Sequence, residues 1–275
     1  MHVSHFVANG VLQTAYWSIG EAHERKTPFI LVHGFTGSKL DFQDQLAWFS
    51  SNRRVVAYDQ RGHGETTNAT PYDFYSLVND FFGLIDALNI KKAHVLGHSM
   101  GGMVVMRAAL AQPQRFESII LMDTAPGPAG LFGQDVRLQL AELVAEHGCA
   151  ALLDGMQNGR QPAHMRRGME HLGHKEHWRR IRVKLQQMDP LAFTELADLM
   201  AEHPSVLSSL ANLETPTTVI VGAKDKPFLK SSKAMAATLP NAKLVKIARA
   251  GHSPQYENTE PWREAVDTHL AGVIS

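Results

Sequence analysis

Short apolar runs recur along the chain, each followed by a stretch with helical spacing. "HFVANGVLQTAYWSIG" (residues 5–20) alternates around Asn9-Gly10, a pair suited to a two-residue hairpin turn. "FILVHG" (29–34), "RVVAYDQRGHG" (54–64), "AHVLGHS" (93–99), "SIILMDT" (118–124), "TTVIVGAKD" (217–225) and "KLVKIARAGH" (243–252) are continuous rather than alternating runs. Continuous runs rich in Val and Ile suit strands buried on both faces. Between them, apolar positions at helical spacing predict helices in "LDFQDQLAWFS", "YSLVNDFFGLIDALN", "MVVMRAALAQP", "KPFLKSSKAMAATLP" and "EPWREAVDTHLAGV". Strand and helix in alternation predict a parallel sheet covered by helices. The alternation stops after "SIILMDT". "TAPGPAGLFG" reads as a linker, and the stretch to Leu213 is helical in pattern, with no good strand. The expected organisation is a core of residues 1–127 and 214–275 carrying a helical insertion, 128–213.

Gly97-His98-Ser99-Met100-Gly101 fits G-x-S-x-G, between an apolar strand and a helix. A serine on such a sharp turn takes a strained backbone, and glycines flank it because larger side chains would collide. The following helix aims its first N–H groups at the site. Nucleophilic serine chemistry also needs a base, an orienting acid and an oxyanion site. Of fifteen histidines, His252 in "ARAGHSPQYE" stands after the last strand, where catalytic groups of a parallel sheet converge. Asp225 in "VIVGAKDKPF" is the favoured acid, and Asp123 in "LMDTAP" is its rival one strand earlier. Oxyanion donors are expected at Met100 N–H and at Phe35 N–H in the turn after "FILV". A histidine base implies activity lost at acid pH.

These motifs resemble the α/β-hydrolase family. "HGFTGS", "DQRGHG", "GHSMGG", "GAKDKP" and "GHSPQYE" fall in that family's order and cover nearly the whole chain. The resemblance implies an α/β fold: an eight-stranded, mostly parallel sheet flanked by helices, with an inserted helical cap over the site. It implies the chain order Ser99, Asp225, His252 and an acyl-enzyme mechanism. Ser99 stands where epoxide hydrolases and haloalkane dehalogenases carry aspartate. The serine branch resembles small carboxylesterases and enol-lactonases, so a small ester or lactone is the expected substrate. Alternatives within the fold are a carbon–carbon bond hydrolase, a menaquinone-pathway-like lyase and a cofactor-free perhydrolase. An alternative of another class is a slow-turnover ligand receptor or regulator.

Composition narrows the picture slightly. With 27 Lys plus Arg against 27 Asp plus Glu, no charge excess points to nucleic acid or an anionic membrane. No apolar run approaches a membrane span, and residues 1–10 carry polar His2, Ser4, His5 and Asn9 rather than a signal-peptide core. The single cysteine, Cys149, fits a reducing cytoplasm and reads as a small buried apolar residue. A cytoplasmic monomer or homodimer with a small-molecule substrate is expected, with no cofactor and no metal. His171, His174 and His177 share helical spacing but read as a polar cap face, and His98 and His63 as structural. Candidate pocket residues are Phe35, Met103, Leu131, Phe132, Met156 and Trp178. Arg160, Arg166, Arg167, Arg179, Arg180 and Arg182 are candidates to bind a substrate carboxylate.

Overall fold

The computed structural model describes residues 2–21, 26–129, 133–159 and 169–273. The eight strands expected form one sheet: β1 His5–Asn9, β2 Leu12–Ile19, β3 Phe29–Val32, β4 Val55–Tyr58, β5 Ala93–His98, β6 Phe116–Met122, β7 Thr217–Gly222 and β8 Ala242–Ile247. Their order is β1-β2-β4-β3-β5-β6-β7-β8. β1 and β2 pair antiparallel, β2 runs antiparallel to β4, and the other pairings are parallel. The strand order reverses between β3 and β5, so the carboxyl ends of those strands flank the crevice where α/β sheets bind ligands.

Alternate residues of the central strands feed two apolar layers. Ile30, Val32, Val56 and Tyr58 face helices α1 (Phe74–Ala87), α2 (Met100–Ala111) and α7 (Lys226–Thr238) through Leu77, Phe81, Val104 and Met235. Phe29, Leu31, Val55 and Ala57 face Phe49, Trp262 and Val266, the last two on α8 (Thr259–Gly272). Each fully buried side chain of this size contributes about 1.5–3 kcal/mol, which explains the continuous apolar runs. β8 lies at the sheet edge and is only partly covered, which accommodates Lys243 and Lys246.

Between β6 and β7 the described residues form α3 (Gln134–His147), α4 (Leu152–Asn158), α5 (His174–Gln186) and α6 (Pro190–Glu202), with no strand among them. Val144, Cys149, Leu153, Trp178, Leu185 and Phe193 form a separate apolar cluster there. Two ion pairs join α5 to the loop after β3: Lys184 to Asp41 at 2.7 Å and Arg180 to Asp44 at 2.5 Å.

Three local expectations need correction. The helix expected over 40–50 is a 3-10 turn, Lys39–Phe42, followed by a single α turn, Leu46–Phe49. The Asp44 carbonyl accepts from the Arg263 guanidinium at 2.8 Å, and Gln45 is held by Arg263 and the Gln255 carbonyl. These tertiary bonds take the place of a continuous helical ladder. The hairpin turns at Gly10-Val11, because Asn9 already pairs with Leu12. The described start of the "linker" is buried: Pro126 O accepts from Val206 N, and Ala129 N donates to Met200 O.

Candidate active site

Ser99 follows β5 and caps α2 with φ +53° and ψ −120°, a strained conformation for a non-glycine residue. The elbow explains its glycines. A Cβ on Gly101 would run into the Val32 and His33 carbonyl oxygens, and one on Gly97 would lie 2.6 Å from Gly101 O. Ser99 N donates to Met122 O, and Ser99 O accepts from Thr124 Oγ1 at 2.7 Å, so the end of neighbouring β6 and the loop after it hold the strained residue.

His252 Nε2 lies 3.0 Å from Ser99 Oγ, and His252 Nδ1 lies 2.8 Å from Asp225 Oδ2. An ionised carboxylate only accepts, so Nδ1 carries the proton and Nε2 accepts from the serine hydroxyl. Asp225 caps α7 after β7 and is 6% exposed; His252 follows β8 and is 24% exposed. Burial pushes the Asp225 carboxyl up, but the His252 hydrogen bond and charge, helped by Asp123, outweigh it and hold Asp225 below the usual range. Asp123 is not bonded to His252. It lies beside Asp225, and burial first, then Asp225, raises its carboxyl well above the usual range.

The turn after β3 reaches Ser99 closely enough that a Cβ on Gly34 would lie 2.9 Å from Ser99 Cβ. This turn closes with Gly37 N to Gly34 O at 3.0 Å and holds Thr36 at φ +56°. Phe35 stands within it. Met100 opens α2, where first-turn N–H groups have no carbonyl four residues back within the helix.

The remaining candidates spread out. The Phe35 ring meets Phe193 of α6 at 5.1 Å and packs against both a sheet-side cluster and the cluster of the helices between β6 and β7. Met103 is buried in the core; Trp178 is buried in the cluster of the helices between β6 and β7, with Met156 packed against it. Leu131, Phe132, Arg160, Arg166 and Arg167 lie outside the described residues. Arg179 pairs with Glu176, Arg180 with Glu176 and Asp44, and Arg182 is exposed. His98 Nε2 donates to the His252 carbonyl at 2.7 Å, and His63 Nδ1 bonds Arg61 O. Burial pushes the Cys149 thiol up to about 12, the behaviour of an inert buried residue. Among the described residues, Asp123, Asp225 and His252 group as three donors within 4.8 Å of one another; His171, His174 and His177 do not group so.

Two supporting residues escape a reading of spacing alone. Glu257 accepts from Gly251 N at 2.8 Å and from Ser253 N at 2.9 Å, clamping the loop on both sides of His252. Phe228, in the first turn of α7, stacks on the His252 ring at 4.9 Å. The available signals were the Glu that closes "GHSPQYE" and the Phe three residues after Asp225, and neither announces its partner.

Residues 29–267 match the model of the alpha/beta hydrolase family. The chain is 27% identical over 270 residues to a protein of Stutzerimonas stutzeri provisionally named the carbamate hydrolase RutD, covering 91% of this chain and 96% of that one. A thermophilic esterase from Thermogutta terrifontis superposes with TM-score 0.82 at 27% identity, covering all of both chains. An enol-lactonase from Burkholderia xenovorans shares the fold, with TM-score 0.83 at 22% identity over 97% of this chain and all of that one. Among the described residues no helix is long and apolar enough to cross a membrane. The chain belongs to the alpha/beta hydrolase family, and hydrolase is the class of activity that family carries.

Proposed function

We propose that this member of the family is a serine hydrolase that cleaves a small carboxylic ester or lactone through an acyl-enzyme. The observation that carries the reading is the continuous relay Ser99 Oγ, His252 Nε2, His252 Nδ1, Asp225 Oδ2, with bonds of 3.0 and 2.8 Å, built on a strained serine. His252 takes the Ser99 proton as Oγ attacks the carbonyl carbon. Asp225 holds the tautomer and balances the imidazolium that forms. Phe35 and Met100 N–H groups receive the oxyanion. His252 then protonates the leaving alkoxide, which stays tethered to the acyl group if the substrate is a lactone. Water, deprotonated by His252, attacks the acyl-enzyme, and collapse frees the acid and Ser99.

Residues 128–213 act in this reading as a cap. The Phe35–Phe193 contact and the Lys184–Asp41 pair support it, because both tie the insertion to the loop after β3, whose first turn lies beside Ser99. Phe35, Met103, Leu131, Phe132 and Trp178 remain the proposed apolar lining. The protein is read as a cytoplasmic monomer or homodimer acting on a small molecule. A fluorophosphonate probe followed by peptide mass mapping tests the nucleophile. The expected adduct is stoichiometric, sits on Ser99 and is absent from Ser99→Ala; an adduct elsewhere overturns the assignment.

A further inference from the structure

Asp123 immediately follows β6 and Asp225 follows the adjacent strand β7, so parallel pairing brings two carboxyls together at one end of the sheet. Asp123 is fully buried. Its Oδ1 accepts from Gly222 N at 2.9 Å, while Oδ2 meets no donor among the described residues. Its backbone sits at φ +45°, a region where Asp and Asn are enriched among non-glycine residues. Oxygens of Asp123 and Asp225 and a nitrogen of His252 lie within 4.8 Å of one another. The other titratable groups acting on this pair are Glu257, which adds negative charge near Asp123, and His98 beside Asp225.

Two carboxylates side by side in a dry site repel, and an acceptor-only oxygen with no donor is costly. One proton removes both difficulties. It belongs on Asp123, because Asp225 has His252 to stabilise its charge and Asp123 has only the Gly222 amide.

We propose that Asp123 keeps its proton at neutral pH and donates that O–H to Asp225, acting as a positioning residue that holds the carboxylate against His252. The raised Asp123 and lowered Asp225 carboxyls agree with this division. The proposal rests on the triad reading. It accounts for both aspartates of the sequence: one is charged and orients the base, the other is neutral and orients the acid.

Asparagine at 123 keeps both functions, since its oxygen can accept from Gly222 N, its amide can donate to Asp225, and it tolerates the backbone conformation. The expected result is that Asp123→Asn retains kcat within about threefold and an unchanged pH profile, whereas Asp123→Leu, which has no donor, loses roughly 10- to 100-fold in kcat with KM unchanged, the scale of a slightly misplaced catalytic group. Carbon-13 NMR of aspartate-labelled protein supplies a readout independent of turnover, even if the leucine variant does not fold. A neutral carboxyl resonance at pH 7 in the wild type, missing from Asp123→Asn, supports the proposal. Its absence from the wild type, or a loss in Asp123→Asn as deep as that in Asp225→Asn, overturns it. Full activity in Asp225→Asn would instead remove the triad reading, while the resonance would still report the Asp123 proton.

Discussion

Asp225→Asn lowers kcat on the order of 10⁴-fold, the loss associated with a wrong histidine tautomer in the serine triad template. The cause lies in the hydrogen bond at 2.8 Å between His252 Nδ1 and Asp225 Oδ2. A carboxylate there accepts only, so it dictates Nδ1–H and leaves Nε2 free for the Ser99 proton. An amide can donate to Nδ1 instead, which puts the proton on Nε2 and removes the base. The substitution is isosteric, and Phe228 stacking, the Glu257 clamp and the His98 bond to the His252 carbonyl all remain, so the fold and KM should change little. Steady-state kinetics alongside thermal unfolding checks both parts. A loss under tenfold with the fold intact would mean that Asp225 is not the orienting acid.

The second large effect is on stability at acid pH. Burial lowers the pKa of several histidines, His203 among them, and five fall furthest: His33 and His94 to about 4, and His63, His98 and His269 to about 3. In the unfolded chain each titrates near about 6.5. A histidine with a lowered folded pKa is neutral when folded, so the unfolded chain binds the extra proton once pH falls below about 6.5, and stability drops with pH from there. Each group costs about 2 kcal/mol by pH 5. Asp59, Asp80 and Asp123, whose carboxyls are raised chiefly by burial, work in the opposite direction and offset part of this. The net loss expected between pH 7 and pH 5 is several kcal/mol, a large share of the roughly 5–15 kcal/mol of an ordinary domain. Urea unfolding midpoints measured from pH 7.5 to 4.5 should fall steeply below about pH 6.5. A flat series would show that these histidines gain protons without loss of the fold.

Much of this was legible in one dimension because its causes are local. Continuous apolar runs report strands buried on both faces, and Gly97 and Gly101 report a turn with no room for side chains. His252 and Asp225 could be brought to one end of the sheet because each lies in a loop that follows one of its parallel strands. What stayed hidden depends on contacts across the sheet. The Asp123–Asp225 pair exists because β6 and β7 are neighbours, and in sequence the two aspartates look like rivals for one role. The helix predicted over 40–50 is interrupted by Arg263, more than two hundred residues away, which no local spacing announces. "TAPG" carries a linker's composition, yet Gly127 packs against Ser205 and Pro126 bonds Val206. Composition reports flexibility only where tertiary bonds do not intervene.

Whether Ser99 carries an acyl group during turnover is read by stopped-flow hydrolysis of p-nitrophenyl acetate and butyrate, wild type beside Ser99→Ala. The expected result is a burst of p-nitrophenol stoichiometric with enzyme, then steady turnover, and neither phase in the alanine variant. A burst of equal size in Ser99→Ala would contradict it, because the acyl group would then reside on another nucleophile.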